Sequence, residues 1–331
     1  MAKLPSPVDF TADPTLEAVD AALVDAQERE PRPYYGVSWA GQPCARRRWL
    51  TYRWAGREEL SAKSLRAIED GHRGEALMAE RLQKVAGLKL LTRDPDGKQF
   101  QVVALDGHMK GHLDGAILGL LQAPRTWHVW EHKQVNEKKF AAFTKAKTEK
   151  GEKAALEHWD GVFFVQAQLY MHLTGMTRHY LTVGTPGLRE VASCRTEYDK
   201  ERAMRFLKDS EQVAFQAEPP PKISNDASWF ECRLCPFHAQ CHGEAVPAAT
   251  CRSCAHSTPI GNGAWHCERH DGEVPIEFQR EGCDEHRFIP VLLERVAELV
   301  SVDGDAVVWK NLLTGLPFDN PTYSSRDMAT A

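Results

Sequence analysis

Seven of the nine cysteines fall between Cys232 and Cys283, and the other two are Cys44 and Cys194. Thiols bunched in this way are paired as disulfides or shared around a metal, and the compartment decides which. The segment MAKLPSPVDF carries one lysine and no apolar stretch, so it does not read as a secretory signal. Every apolar run is broken by charge or glycine, well before the ~18 residues that a membrane span requires. These features predict a cytoplasmic chain, with no membrane span, whose clustered thiols bind metal. At 331 residues, 42% of them hydrophobic and 26% charged, the chain can bury a real core, which excludes wholesale disorder and a fibrous architecture. The length suits one large domain with an appendage or two modest ones. A net charge of -5 excludes a protein that coats nucleic acid through bulk positive charge, while leaving room for a local basic groove.

Patterning along the chain predicts a helix from Pro14 to Glu28, then a basic helix over the Arg- and Trp-rich stretch from Ala45 to Leu60. A long helix capped by Ser64 and ending at Gly87 comes after it. Between Leu88 and Val135, short β-type runs separated by Asp-Gly turns predict a mostly antiparallel sheet that ends in the strand TWHVWEHKQV. A lysine-rich helix over 138–157, the apolar helix GVFFVQAQLYMHLTG, two strands near His179–Val183 and Cys194, and a charged helix from Asp199 to Ala217 come next. Pro219, Pro220 and Pro221 end that helix. The tail predicts a helix through Leu292, Leu293, Val296 and Leu299, a strand over Ala306–Leu312 and a polar end.

Period-2 alternation in TWHVWEHKQV places Val129, Glu131, Lys133 and Val135 on one face, so a carboxylate and an ammonium point the same way among apolar residues. Asp114 lies in GHLDG, where flanking glycines allow close approach. Glu75 in GHRGEALMAERL sits on the preceding helix, and Gln166 and Tyr170 are one turn apart in QAQLY. Each has a bland reading: a turn Asp, a surface ion pair, a solvated Glu, a polar stripe on a core helix. Order and spacing raise the set above those readings: a helix Glu, then Asp114, then Glu-x-Lys seventeen residues on, then Gln-x-x-x-Tyr. Carboxylates that converge from a helix and two strands suit Mg2+ or Mn2+, and a lysine beside them can position a water and offset charge in a phosphodiester transition state. That is the chemistry of a metal-dependent nuclease.

The motifs GHRGE, GHLDG, WEHKQ and QAQLY, over about residues 71 to 175, resemble those of the PD-(D/E)XK nuclease superfamily, and within it the RecB-like and phage recombination exonucleases. The resemblance implies an α/β, restriction-endonuclease-like core, a central mixed sheet flanked by helices, over residues 34–245. An N-terminal helical extension (1–33), a zinc-binding module (246–290) and a C-terminal helix, strand and tail (291–331) would surround it. It implies Mg2+ or Mn2+ held by Glu75, Asp114 and Glu131, with Lys133 as the catalytic lysine. His72 becomes a rival or companion to Glu75, and Gln166 and Tyr170 contact DNA or steady the site. The implied activity is exonucleolytic hydrolysis of DNA, single-stranded or at duplex ends, in phage-type recombination or repair. The location would be the cytoplasm of a bacterial host if the chain is phage-encoded. A recombination or single-strand-binding protein is the implied partner, and ring-forming relatives leave an oligomer open. The competing class is a catalytically silent, metal-stabilised DNA- or protein-binding adaptor, against which the complete Glu-x-Lys argues.

Cys232, Cys235 and Cys241 form C-x2-C-x5-C and need a fourth ligand. From the residues alone, the remote Cys44 and, in a Cys3His zinc site, His238 or His242 are equal candidates. The resemblance favours a [4Fe-4S] cluster on Cys44, Cys232, Cys235 and Cys241, since several RecB-like nucleases place one Cys ahead of the core and C-x2-C-x5-C after it. Cys251, Cys254, Cys267 and Cys283 read as a zinc ribbon or treble-clef-like site, with His286 or His256 able to replace one thiol. Cys194 is left as a buried small hydrophobe. Seven lysines and three glutamates between Lys133 and Lys153 could draw DNA phosphates. Arg46, Arg47, Arg48 and Arg53, interleaved with Trp49, Tyr52 and Trp54, suggest a stacking surface for a single strand, with some of the aromatics held in the core.

Overall fold

In the computed structural model the described residues are 13–27, 31–56, 60–304, 306–312 and 314–320. The elements up to the proline run are α1 (Pro14–Asp25), β1 (Tyr35–Gly36), α2 (Ala45–Tyr52), α3 (Ala62–Gln83), β2 (Lys89–Leu91), β3 (Gln101–Ala104), β4 (Met109–His112), β5 (Gly115–Leu118), β6 (His128–Gln134), α4 (Glu137–Lys150), α5 (Ala155–Trp159), α6 (Gly161–Thr174), β7 (Arg178–Gly184), β8 (Val191–Glu197) and α7 (Lys200–Phe215). Beyond it lie α8 (Phe230–Arg233), α9 (His238–His242), β9 (Ser257–Ile260), β10 (Ala264–Cys267), β11 (Gly272–Glu273), α10 (Ile276–Gln279), β12 (Ala297–Asp303), β13 (Ala306–Asn311) and β14 (Pro317–Asn320). The fold is mixed α/β, as the sequence predicts.

Its centre is a five-stranded sheet in the order β2-β5-β6-β7-β8. β6 and β7 run parallel, and the other pairs are antiparallel. β6 is buried on both faces over its first five residues because α3 and α6 both pack on it, which explains an apolar run carrying few but consequential charges. α6 starts where Asp160 Oδ1 accepts the amides of Val162 and Phe163 at 3.0 and 3.1 Å, and ends at Gly175 in the left-handed region. α3 is capped by Ser61, not Ser64, whose amide donates to Ser61 Oγ at 3.2 Å. A second sheet, β1-β4-β3, lies at one side.

Four expectations are corrected. The basic helix stops at Tyr52, since Trp54 turns the chain with a φ of 51°, and residues 57–59 of that stretch lie outside the described residues. Its Arg46, Arg48, Arg53, Trp49, Tyr52 and Trp54 are buried, so this segment is core and not a stacking surface. The guanidiniums are met from distant elements: Arg46 pairs with Glu294 at 3.3 Å, Arg48 with Asp209 at 2.6 Å, and Arg53 donates to the Arg252 and Ser257 carbonyls at 3.3 and 3.0 Å. Arg53 and Arg252 both lie over Trp265, and Arg252 stands 3.8 Å from the Trp54 ring centroid. The tail helix does not form either. Pro290 opens a short 3-10 turn to Leu293 that buries Leu292 and Leu293, and the β-branched residues beyond it pair in the hairpin β12–β13. The first helix ends at Asp25 with Ala26 as its cap, short of the expected Glu28, and the polar end after 320 lies outside the described residues.

The cysteine-rich segment does not hang from a linker. Trp265, Phe288, Leu293 and Trp309 share one apolar cluster with Tyr35, Trp49 and Leu169. Among the described residues no helix is long and apolar enough to cross a membrane.

The central sheet also buries histidines. His179 is 1% exposed and both ring nitrogens lack a partner, as does Oγ1 of Thr196, its register neighbour on β8. Burial, with the nearby Lys133 charge, pushes its imidazole down to about 3 from the ordinary 6.5. The unfolded chain therefore binds a proton that the folded chain refuses, so the stability His179 contributes is present above pH 6.5 and is lost as the pH falls toward 3. His132 and His286, pushed down to about 4 chiefly by burial, act in the same direction. Melting temperature is expected to fall steadily from pH 6.5 to 4.5 in thermal melts, and His179→Leu to flatten that slope. An unchanged slope in the variant would contradict the assignment.

Candidate active site

β6 presents Glu131 and Lys133 on one face, as alternation predicts, with Lys133 Nζ 2.8 Å from Glu131 Oε2. The pair is poorly hydrated, the side chains being 3% and 21% exposed. Asp114 sits after β4 at the turn into β5, where its Oδ2 accepts the His132 amide at 2.8 Å. This bond ties the Asp114 carboxylate to the strand that carries the pair. Glu75 reaches the group from α3, which can lie close to β6 because residue 74 is glycine; a β-carbon there would run into the Gln134 side chain.

Four charged groups thus share one field. Burial raises the Glu75 carboxyl to about 7, with Asp114 adding to the rise and Lys133 opposing it. Burial also holds Asp114 above the carboxylate range against Lys133, the His132 amide and His72. Glu131 is raised by burial and then by Asp114, again against Lys133. Burial works against the Lys133 charge, but Glu131 and Asp114 outweigh it and keep the ammonium protonated. A rise in both partners of an ion pair looks inconsistent until the stoichiometry is counted: three carboxyls share one lysine. The full set of negative charges lacks a cation, and Glu131 Oε1 is buried without any partner.

His72 is exposed one turn before Glu75, and its charge reaches Asp114. Gln166 and Tyr170 are buried. Tyr170 Oη donates to the His112 carbonyl at 2.8 Å and accepts from Gln166 Nε2 at 3.4 Å. They brace β4 two residues before Asp114, and Gly111 leaves room for the Tyr170 ring.

Two contributors escaped sequence reasoning. Thr182 on β7 accepts the Trp130 indole N–H at 3.1 Å and donates to the Glu131 carbonyl at 3.3 Å, fixing β6 from its neighbour. Phe163 on α6 lies under both Lys133 and Lys139, with ammonium-to-centroid distances of 5.3 and 4.7 Å. Only the three-dimensional pairing of β6 with β7 and α6 singles them out.

The lysine-rich α4 is less free than its composition suggests. Lys139 pairs with Asp160 at 2.7 Å, Lys145 with Glu149 at 3.8 Å and Lys153 with Glu197 at 2.5 Å, and Lys147 donates to the Ser193 carbonyl at 2.6 Å. Lys138 and Lys150 are exposed.

Cys44, Cys232, Cys235 and Cys241 line one cavity of about 200 Å³ that Arg46, Arg47 and Lys222 also border. Burial raises the Cys235 and Cys241 thiols, Cys241 to about 11, and these cations oppose the rise. Cys251, Cys254, Cys267 and Cys283 line a second cavity of about 500 Å³ with His256, His270 and His286. The Cys251 thiol is pushed up to about 12 by burial and then by the other three cysteines. His286 turns Nε2 to the Thr250 carbonyl at 2.9 Å. Cys194 is buried on β8, as expected of a small hydrophobe. Among the described residues no three His, Cys, Asp or Glu side chains stand close enough to hold a metal ion as they are.

No family model matches the chain, and no curated protein matches it. Among solved structures, SSO0001 is similar at 16% identity and a TM-score of 0.39, over 69% of this chain and 96% of that one. An alkaline exonuclease from Laribacter hongkongensis is similar at 12% identity and a TM-score of 0.38, over 60% and 90%. A phage-related exonuclease from Haemophilus somnus 129PT is similar at 14% identity and a TM-score of 0.31, over 45% and 68%.

Proposed function

We propose that the chain is a divalent-metal-dependent deoxyribonuclease that hydrolyses phosphodiester bonds at DNA ends. The observation that carries this reading is the Glu131–Lys133 pair beside a half-buried Asp114, a carboxylate-rich group short of positive charge and with one Glu131 oxygen unsatisfied. Three oxygen donors of this kind have the chemistry that a hard cation takes, and binding one would draw the side chains closer than they now stand. Magnesium or manganese on Glu75, Asp114 and Glu131 would supply charge for the developing phosphoryl oxygens and acidity for a bound water.

The chain's own residues do the rest. Lys133, aimed by Glu131 and kept protonated, holds the attacking water by hydrogen bonding and offsets charge that grows on the phosphate. His132 holds Asp114 through its amide, and Tyr170 with Gln166 holds the strand before it, so the acid stays in place while substrate binds. Exonuclease action in phage-type recombination or repair, in a bacterial cytoplasm and beside a recombination or single-strand-binding protein, rests on the motif resemblance. The test is digestion of linear and circular DNA with Mg2+ or Mn2+. DNA binding without cleavage would leave the adaptor reading in its place.

The two thiol cavities extend the proposal. Cationic neighbours around Cys44, Cys232, Cys235 and Cys241 suit the excess negative charge of a thiolate-bound [4Fe-4S] cluster, which would clasp the N-terminal part of the domain to its C-terminal part. Cys251, Cys254, Cys267 and Cys283 suit structural zinc. Anaerobically purified protein is expected to be brown, with about four irons per chain and about one zinc by elemental analysis. Two zincs and no iron would remove the cluster.

A further inference from the structure

The small sheet β1-β4-β3 turns one face outward beside the acidic site. Strand alternation buries Met109 and Gly111 and sends Lys110 and His112 to the surface, with Gln101 opposite His112 and Val103 opposite Lys110. Gly36 pairs with Lys110, so Tyr34, two residues earlier, reaches the same face. Two cations lie over the Tyr34 ring, Arg32 Cζ 5.7 Å and Lys110 Nζ 5.8 Å from its centroid, and the ring lies 6.1 Å from the His112 ring. Arg32 is exposed and is also 5.5 Å from the Trp39 centroid.

Among the described residues neither Arg32 nor Lys110 is paired with a carboxylate. This differs from α4, where most lysines already have partners. Two like charges gathered on an aromatic ring repel one another, and a polyanion relieves that repulsion. The face adjoins the site directly. The His112 carbonyl accepts from Tyr170, and Asp114 comes two residues later.

We propose that the Arg32, Tyr34, Lys110 and His112 face is the track along which a single strand of nucleic acid enters the acidic site, one base stacking on Tyr34 and phosphates lying against Arg32 and Lys110. The inference rests on the nuclease reading for its direction, toward Asp114, but not for binding itself. A single strand fits better than a duplex because a half-buried ring beside cations can stack an unpaired base, which a duplex keeps stacked inside.

The test is fluorescence anisotropy with a labelled ~20-nucleotide single strand, and its duplex, in Ca2+ over a series of salt concentrations. Tyr34→Ala is expected to weaken single-strand binding about tenfold with little change on the duplex, and Tyr34→Trp to retain it. Lys110→Gln is expected to lower the slope of log affinity against log salt by about 0.7. Single-strand binding by Tyr34→Ala equal to wild type, or an equal loss on both probes, would overturn the track. Digestion in Mg2+ separates the two readings. Wild type that cuts nothing yet binds through Tyr34 sinks the nuclease and keeps the track, whereas cutting with Tyr34-independent binding does the reverse.

Discussion

Asp114→Asn and Lys133→Ala are each expected to lower the rate of DNA hydrolysis by about 10²–10³-fold or more, the scale of losing one preorganised electrostatic group at a developing charge. Asp114→Asn is the cleaner change. An asparagine oxygen can still accept the His132 amide that binds Asp114 at 2.8 Å, so the backbone is kept while the charge is lost. Lys133→Ala removes the ammonium that three carboxyls share, which leaves Glu131 without its 2.8 Å partner and the group without compensation. A thermal melt alongside the assay separates a stability loss from a chemical one. Initial rates on linear DNA, at saturating and limiting substrate, provide the measurement. Retention of activity by both variants would remove these residues from the chemistry.

The second large effect lies far from that site. Arg252→Met is expected to cost at least about 3 kcal/mol of stability, because hydrogen bonds from a charged donor contribute about 1.5–3 kcal/mol each and their acceptors stay buried. Arg252 donates to Gln279 Oε1 at 2.9 Å, the Tyr52 carbonyl at 3.2 Å and the Pro33 carbonyl at 2.8 Å, while its guanidinium packs on Trp54 and Trp265. Burial pulls its pKa down to about 9, and Arg53 beside it to about 10. Carbonyl dipoles and ring faces hold these charges. One side chain of the cysteine-rich segment thus binds the N-terminal part of the chain at two separate carbonyls. Methionine preserves much of the volume, so the loss isolates the hydrogen bonds. A melting temperature equal to wild type would mean that this segment docks without Arg252.

The acidic constellation was legible because each part is local: alternation in one strand aligns Glu131 with Lys133, glycines flank Asp114, and helical spacing pairs Gln166 with Tyr170. The arginine-rich segment was misread because the groups that meet its Arg53 charge, the Arg252 and Ser257 carbonyls and the Trp265 ring, come from residues about 200 positions away, and no window along the chain contains both. The tail was misread for a related reason. Leu292, Leu293 and Val296 have helical spacing, but Pro290 tightens the turn and pairing with β13 holds the chain extended from Ala297 onward. Thr182 and Phe163 carry no signature because an ordinary threonine and phenylalanine acquire their roles only when β7 and α6 are laid against β6.

The central claim is that the carboxylates and lysine of β6 and its neighbours cut DNA with a divalent ion. Its most direct test is release of acid-soluble nucleotides from linear DNA by the purified wild-type chain in Mg2+ or Mn2+, against the same protein in chelator. The account predicts steady release with the metal, none in chelator, and little from covalently closed circles. No release under any of these conditions, or release that chelator leaves untouched, would contradict it.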